Sequence, residues 1–286
     1  MSGQLSSGYQ KDNYDPNALI SLQDILSDRG YTTAFINTET RNINFTNYLQ
    51  DMGFDEVISD PEFISNGIAD SISDKDAYDL LFDTVEEQAK KDKPFFTAIY
   101  TFGTHTSLDS PDEKFGDGSD SLLNKFHNLD YQFGAFMERY EKSDLAENTI
   151  IFFTADHAAY QDRLFKTSFP DYERKHTELD EMPFFIYYKG ITPQTLDVEG
   201  RNTLDFAPTV LDYLDMRIGN YFLGFTLFAD NQMSANMNSF DRIFSDAAYK
   251  LSTFDSQVKP LTEVEREIFE DELQKYYVAK TQKRIN

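Results

Sequence analysis

Residues Leu145–Ala158 read LAENTIIFFTADHA, and this stretch decides the fold. Its middle, Thr149–Ala155 (TIIFFTA), is β-branched, aromatic and nearly continuous in apolar residues. A strand covered on both faces by helices needs that composition. The run stops at Asp156-His157, so a polar pair falls where the strand's carboxyl edge is expected. Open α/β sheets collect their ligand sites at that edge.

Working outward, Pro94–Phe102 (PFFTAIYTF) and Pro183–Tyr188 (PFFIYY) repeat the signature, and Tyr31–Asn37 (YTTAFIN) reads as a further strand. Amphipathic segments alternate with these runs. Ala18–Arg29 sets Leu19, Leu22, Ile25 and Leu26 at helical spacing, with Gly30 as its stop. Phe45–Asp51 is a short helix, and Ser73–Lys91 opens on a Ser73/Asp76 start signal. Leu122–Tyr140 presents Phe126, Leu129, Phe133 and Met137 as an inward stripe. Thr203–Leu214 reads as a helix interrupted near its start by Pro208. A charged helix over Thr262–Lys280 offers Val264, Ile268, Phe269, Leu273 and Tyr277 for packing. Helices alternating with buried strands predict an α/β fold with a mostly parallel central sheet. The Gly/Ser-rich opening, 1–17, reads as a polar loop segment. The α/β pattern occupies 18–230, and beyond a polar boundary near Ala229–Asn238 a tail with the charged helix fills 231–286.

The chain has 286 residues, 26 Phe and 17 Tyr, an aromatic load that excludes a disordered class. Its 26 basic against 50 acidic residues leave a formal charge of −24, which argues against nucleic acid or an anionic membrane surface as partner. An anionic substrate then has to be met by a metal or a few placed cations. With no Cys, thiolate nucleophiles, disulfides and Cys-ligated metals are excluded. No apolar run approaches the roughly 18–20 residues that span a bilayer. The opening MSGQLSSGYQKDNYD has neither the basic start nor the apolar stretch of a signal peptide, so the expectation for the chain as written is a soluble protein.

Asp156 and His157 offer a hard oxygen and an imidazole nitrogen together, a donor pair suited to a divalent ion; the plain alternative is a capping Asp beside an ordinary loop His. His105, in Phe102-Gly103-Thr104-His105-Thr106, also falls just past a strand. Imidazole there can bind a phosphate or protonate a leaving group, or it can be a turn residue bonded to neighbouring hydroxyls. His176 follows Arg174-Lys175, a cationic cluster able to recognise an anion or simply a solvated loop. His127 lies inside a helix beside Phe126 and reads as structural; Arg41 and Lys166 are loop cations with weaker claims.

Seven stretches in one order resemble the sulfatase-like branch of the alkaline phosphatase superfamily, nearest to lipoteichoic acid synthase-type phosphoglycerol transferases. They are SLQDILSDRGYTTAFIN, NYLQDMGFDEV, KPFFTAIYTFGTHTSL, LAENTIIFFTADHA, EMPFFIYYKGI, NTLDFAPTVLDYLDM and YFLGFTLF, covering about residues 18–228. The Asp-His after an apolar strand and the Asp-x-x-Pro-Thr helix (Asp205, Pro208, Thr209) are the most specific. The resemblance implies a three-layer sandwich around a mostly parallel sheet. It implies a divalent metal at Asp156 and His157: Mn²⁺, with Ca²⁺, Mg²⁺ or Zn²⁺ as alternatives. It implies that His105 contacts the phosphate or leaving group, His176 being a second substrate-binding candidate. The implied substrate is a phosphate or sulfate ester, lipid- or glycan-linked, at the cell envelope or extracellular face. The implied reaction is two-step, through a covalent phosphoglycerol–enzyme that an acceptor hydroxyl or water resolves. The absence of Cys, one precursor of the sulfatases' formylglycine, tilts the expectation toward phosphate.

Two departures accompany the resemblance. The family's nucleophile and first acidic ligand lie upstream of the SLQDIL helix. Ser2, Ser6 and Ser7 have no recognisable nucleophile context, so the nucleophile is unknown and the fold is expected to lack the N-terminal nucleophile segment, with any membrane anchor lost alongside it. After YTTAF, where synthases carry a His, an acid, a Trp and an Arg, this chain has Ile36, Thr38, Ile43 and Phe45. The alternative to an enzyme is therefore a catalytically inactive remnant, or a binding module that needs a separate N-terminal part.

Overall fold

A computed structural model describes residues 20–59, 71–105, 109–173, 182–198, 201–217, 222, 224–229, 249–251 and 258–281. The elements follow in the order α1 (Leu22–Asp28), β1 (Thr32–Ile36), α2 (Ile43–Asp51), β2 (Glu56–Ile58), α3 (Asp74–Ala89), β3 (Phe95–Ile99) and α4 (Ser121–Glu141). After a 3-10 turn come β4 (Ile151–Thr154), α5 (Arg163–Ser168), β5 (Phe184–Tyr187) and α6 (Phe206–Tyr213). A hairpin of β6 (Tyr249–Leu251) and β7 (Val258–Pro260) and a last helix, α7 (Glu263–Thr281), complete the chain.

The local chemistry explains the boundaries. Ser21 caps α1 in a reciprocal capping box with Asp24, and the chain leaves through Gly30 at φ +87°, a conformation that a side chain would strain. Ser73 caps α3 by accepting from the Asp76 amide, as the start signal predicts. Asp120 caps α4 through the amides of Leu122 and Leu123. Pro208 does not interrupt its helix: it sits in the first turn of α6, where a missing N–H leaves no partner wanting. The short β2, α5 and the β6–β7 hairpin carry too little apolar pattern to have been expected.

β1 lies between β2 and β3, parallel to both, with Thr32–Ile36 aligned on Phe95–Ile99. β4 and β5 pair antiparallel, Ile151 opposite Tyr187 and Thr154 opposite Phe184. Two helical layers cover these strands. On one side α3 and α4 contribute Tyr78, Phe82, Val85, Phe136 and Tyr140, and Phe95, Ile151 and Tyr187 pack against them. On the other, α1 and α6 contribute Leu22, Ile25, Leu26, Ala207, Val210 and Leu211, and receive Phe96 and Phe152. β3 and β4 thus feed alternate side chains into the same two layers. Yet no ladder joins them among the described residues, and both strands are half-exposed instead of buried on both faces.

Two sequence expectations shift. On α4 the buried stripe is Lys125, Asn128, Gln132, Phe136 and Tyr140, while Phe126, Leu129, Phe133 and Met137 are half-buried. On α7, Val264 and Ile268 are exposed and Phe269 is buried, while the side chains of Leu273 and Tyr277 lie outside those described. The polar boundary from residue 230 to 238 lies outside the described residues.

Candidate active site

α4 fixes where the strand ends fall. The Tyr140 hydroxyl, near its C-terminus, donates to the Thr149 carbonyl just before β4 (2.7 Å). Further back, Phe133 packs on Phe153 with ring centroids 4.9 Å apart. Near the N-terminus, Lys125 Nζ donates to the His105 carbonyl beyond β3 (2.9 Å). The helix therefore runs against both strands, and their carboxyl ends meet its N-terminal half. α5, which follows Asp156-His157, docks there too, Phe126 meeting Phe169 at 6.3 Å.

At the end of β4, Asp156 and His157 are exposed. Asp156 Oδ1 accepts from the His157 amide (2.9 Å), and His157 Nδ1 lies 2.8 Å from the Ala158 carbonyl. That carbonyl can only accept, so the contact requires a proton on Nδ1 and leaves Nε2 as the nitrogen that faces a ligand. Nε2 stands 3.6 Å from Asp156 Oδ2. This hard oxygen and imidazole nitrogen fit a divalent cation as two of its ligands; a third His, Asp or Glu does not join them among the described residues.

His105 closes a turn by donating its amide to the Phe102 carbonyl (3.0 Å), and its ring stacks on Phe102 with centroids 4.4 Å apart. It is exposed, at the same end of α4 as Asp156 and His157, and none of the described contacts joins it to them. His176, with Arg174 and Lys175, lies outside the described residues, as do Ser2, Ser6 and Ser7. His127 is half-buried against the rings of Phe115 and Tyr131. Lys166 lies in α5 and Arg41 is exposed.

Sequence reasoning missed the polar framework behind His105. Gly103 donates its amide to Asp74 Oδ1 (3.1 Å), and a Cβ at this glycine would stand 2.2 Å from Asp74 Oδ2. Asn128 Nδ2 donates to the same carboxylate (3.2 Å), while Asn128 Oδ1 accepts from the Glu113 amide and Gln132. Burial pushes the Asp74 carboxyl up to about 6, against the Gly103 and Asn128 hydrogen bonds that hold it down. Asn124 accepts from the Phe115 amide and donates to Asp109 and to the Gly118 carbonyl. The signal was legible in Asn124, Lys125, Asn128 and Gln132 at helical spacing, but a polar stripe reads by default as a solvated face.

At the end of β1 the groups tie up one another. Tyr100 donates to Glu39 Oε1 (2.6 Å), and Asn37 donates to Thr46 Oγ1 (2.9 Å). Burial first, then Glu39, holds the Tyr100 hydroxyl far above the usual tyrosine range. Of the four positions that replace the synthase groups, Ile36 and Thr38 are buried, Ile43 is 69% exposed, and Phe45 packs edge-on against Tyr100. An acid bonded to a neutral phenol offers an anionic ester no attraction here.

The Asp-x-x-Pro-Thr helix proves to be a lock. Asp205 Oδ1 accepts from the Phe225 amide (2.8 Å) and Thr209 Oγ1 from the Leu227 amide (3.0 Å). A Cβ at Gly224 would stand 2.2 Å from the Leu204 carbonyl oxygen, so these segments meet backbone to backbone. Arg201 Nη2 donates to the carbonyls of Thr226 and Ala229, fastening the same loop.

A parallel sheet and an antiparallel strand pair packed between helical layers, with the Asp156-His157 pair at the carboxyl end of β4, define an α/β class of fold. Within it, the chain belongs to the sulfatase family, whose profile matches residues 1–216. Lipoteichoic acid synthase 2 of Bacillus subtilis (strain 168) is 24% identical over 242 residues, spanning 74% of this chain. The chain spans only 35% of that relative's length. Among solved structures, the lipoteichoic acid synthase LtaP from Listeria monocytogenes superposes with a TM-score of 0.74 at 20% identity, over 98% of this chain and 78% of its own. An alkaline phosphatase superfamily protein from Vibrio parahaemolyticus gives 0.70 at 20% identity, over 97% and 74%. These likenesses fix the fold as alkaline-phosphatase-like.

Proposed function

We propose that the chain carries part of the active site of a divalent-metal-dependent phosphoglycerol transferase or phosphate-ester hydrolase that acts on lipid- or glycan-linked polymers of the cell envelope. The observation that carries this reading is the Asp156–His157 pair, whose described hydrogen bonds occupy Oδ1 and Nδ1 and leave Oδ2 and Nε2 available 3.6 Å apart. When bound there, a cation such as Mn²⁺ would polarise a phosphoryl oxygen as a Lewis acid. The chain's own contributions are simpler. Asp156 and His157 hold and orient the ion, the Ala158 carbonyl keeps the proton on Nδ1, and the exposed imidazole of His105 contacts a phosphoryl oxygen or protonates the leaving oxygen. The likeness to lipoteichoic acid synthases supports phosphate over sulfate and an envelope location. His176 remains a proposed substrate contact. Among the described residues no helix is long and apolar enough to cross a membrane.

The test is Mn²⁺-dependent cleavage of a glycerophosphodiester by the full-length parent protein. Asp156→Ala should abolish Mn²⁺ binding and the turnover together. Unchanged turnover in Asp156→Ala would overturn the reading.

A second reading rests on the sheet. β3 and β4 share both helical layers, with no ladder between them among the described residues. Half-exposed apolar strands whose second edges carry no ladder among the described residues can accept another strand, which fits a binding module that pairs with a separate N-terminal part. Association of the isolated chain by light scattering supports this reading; a clean monomer with a cooperative melt counts against it.

A further inference from the structure

The buried cations among the described residues are Lys125 and Arg201. Arg201 fastens the loop of Thr226 and Ala229, whereas Lys125 holds the loop that carries His105. Lys125 is 2% exposed and sits in the first turns of α4. Its described hydrogen bond goes to a neutral acceptor, the His105 carbonyl at 2.9 Å. The charges that act on it are Asp162, the N-cap of α5 after the Asp156–His157 segment, and Asp109, in the loop after β3. Burial lowers its pKa against those two carboxylates, so the fold bears a desolvation cost that a Leu or Met at the same place would avoid. One turn further along α4, Asn128 braces Asp74, which holds the Gly103 amide. The loop that presents His105 is therefore held at two main-chain points, the Gly103 amide by Asp74 of α3 with Asn128 behind it and the His105 carbonyl by Lys125 of α4. The His105 ring is stacked on Phe102.

We propose that Lys125 is the positioning residue of the His105 site: its buried ammonium holds the His105 main-chain carbonyl and so sets where the imidazole stands relative to the Asp156–His157 segment. This rests on the proposed ester chemistry only for its catalytic consequence; the positioning itself is a property of the protein without substrate. Packing alone would be served by any side chain of similar volume. Positioning requires a donor at the end of a long stem.

The proposal is tested by NMR on the chain itself, with the His105 imidazole signal assigned through His105→Asn. In the wild type, the Lys125 ammonium protons should exchange slowly and show a scalar coupling to the His105 carbonyl carbon. In Lys125→Met, the His105 signal should move and lose its ring-current shift from Phe102. Lys125→Gln, which keeps a neutral donor, should restore most of it. A fast-exchanging Lys125 ammonium without that coupling would overturn the proposal, and this measurement needs no variant to fold. An unmoved His105 signal in folded Lys125→Met would overturn it as well. In the full-length parent, Lys125→Met should lower kcat on a glycerophosphodiester about 100-fold with KM little changed. If the wild type shows no turnover, the ester reading fails while the His105 signal still decides the positioning.

Discussion

The two halves of α4 do opposite work with one helical stripe. From Gln132 to Tyr140 its buried face is dominated by aromatic rings: Phe136 lies 5.5 Å from Tyr78 and 6.3 Å from Phe82, and Tyr140 6.2 Å from Tyr187. From Asn124 to Gln132 the same face is polar, and it holds loop main chain and the Asp74 carboxylate. The apolar half derives stability from area removed from water, a term indifferent to direction. The polar half obtains little net stability from hydrogen bonds that replace those to water, but it gains direction. The lower half holds the layers together, and the upper half places the loop at the strand ends.

That contrast can be broken at either end. Phe136→Ala should be the most damaging change, costing about 3–5 kcal/mol as an aromatic-sized cavity opens between α3 and α4; urea unfolding followed by circular dichroism reads it directly. In the polar half the leading effect depends on pH. Asp74 has a folded pKa of about 6 against 3.8 for the free group. Between those values the folded protein retains a proton that the unfolded chain has released. Stability therefore falls as pH rises from about 4 to 6, by about 3 kcal/mol from this group, and is level above that. Asp74→Asn should remove that slope, measured as Tm against pH; a slope that persists would place its origin elsewhere. Tyr140→Phe deletes the hydrogen bond to the Thr149 carbonyl while keeping the ring, and should cost about 1 kcal/mol by the same unfolding assay. Smallest of all, Lys142→Ala at the exposed end of α4 removes a surface pair with Glu138 and should change stability by less than about 0.5 kcal/mol.

A similar contrast separates β1 from β3 and β4. β1 has a partner on both sides, and Thr33, Ala34 and Ile36 are fully buried. β3 and β4 are as apolar in sequence but, among the described residues, have a ladder on one edge only. Apolar runs disclosed that these segments are strands. They could not disclose which edge would find a partner, because backbone hydrogen bonds carry no side-chain signature. The same limit applies at the site. Asp156-His157 and His105 were visible because short runs of unlike residues broke apolar strands. Asp74, Lys125 and Asn128 were not, because their identity as buried groups arises from partners 54 residues apart in the chain, or 20 for Lys125 and His105.

Taken alone, the sequence determined the alternation of helices and strands, the cap at Ser73, and the placing of His105 and Asp156-His157 just past strand ends. These follow from periodicity and local hydrogen bonding, which act within a few residues. Only the tertiary structure decided that a polar stripe of α4 turns inward, that Lys125 reaches the His105 carbonyl, and that β3 and β4 feed the same two layers. Burial and pairing are properties of what lies opposite, and a polar side chain becomes a core residue only when distant segments bring it a partner.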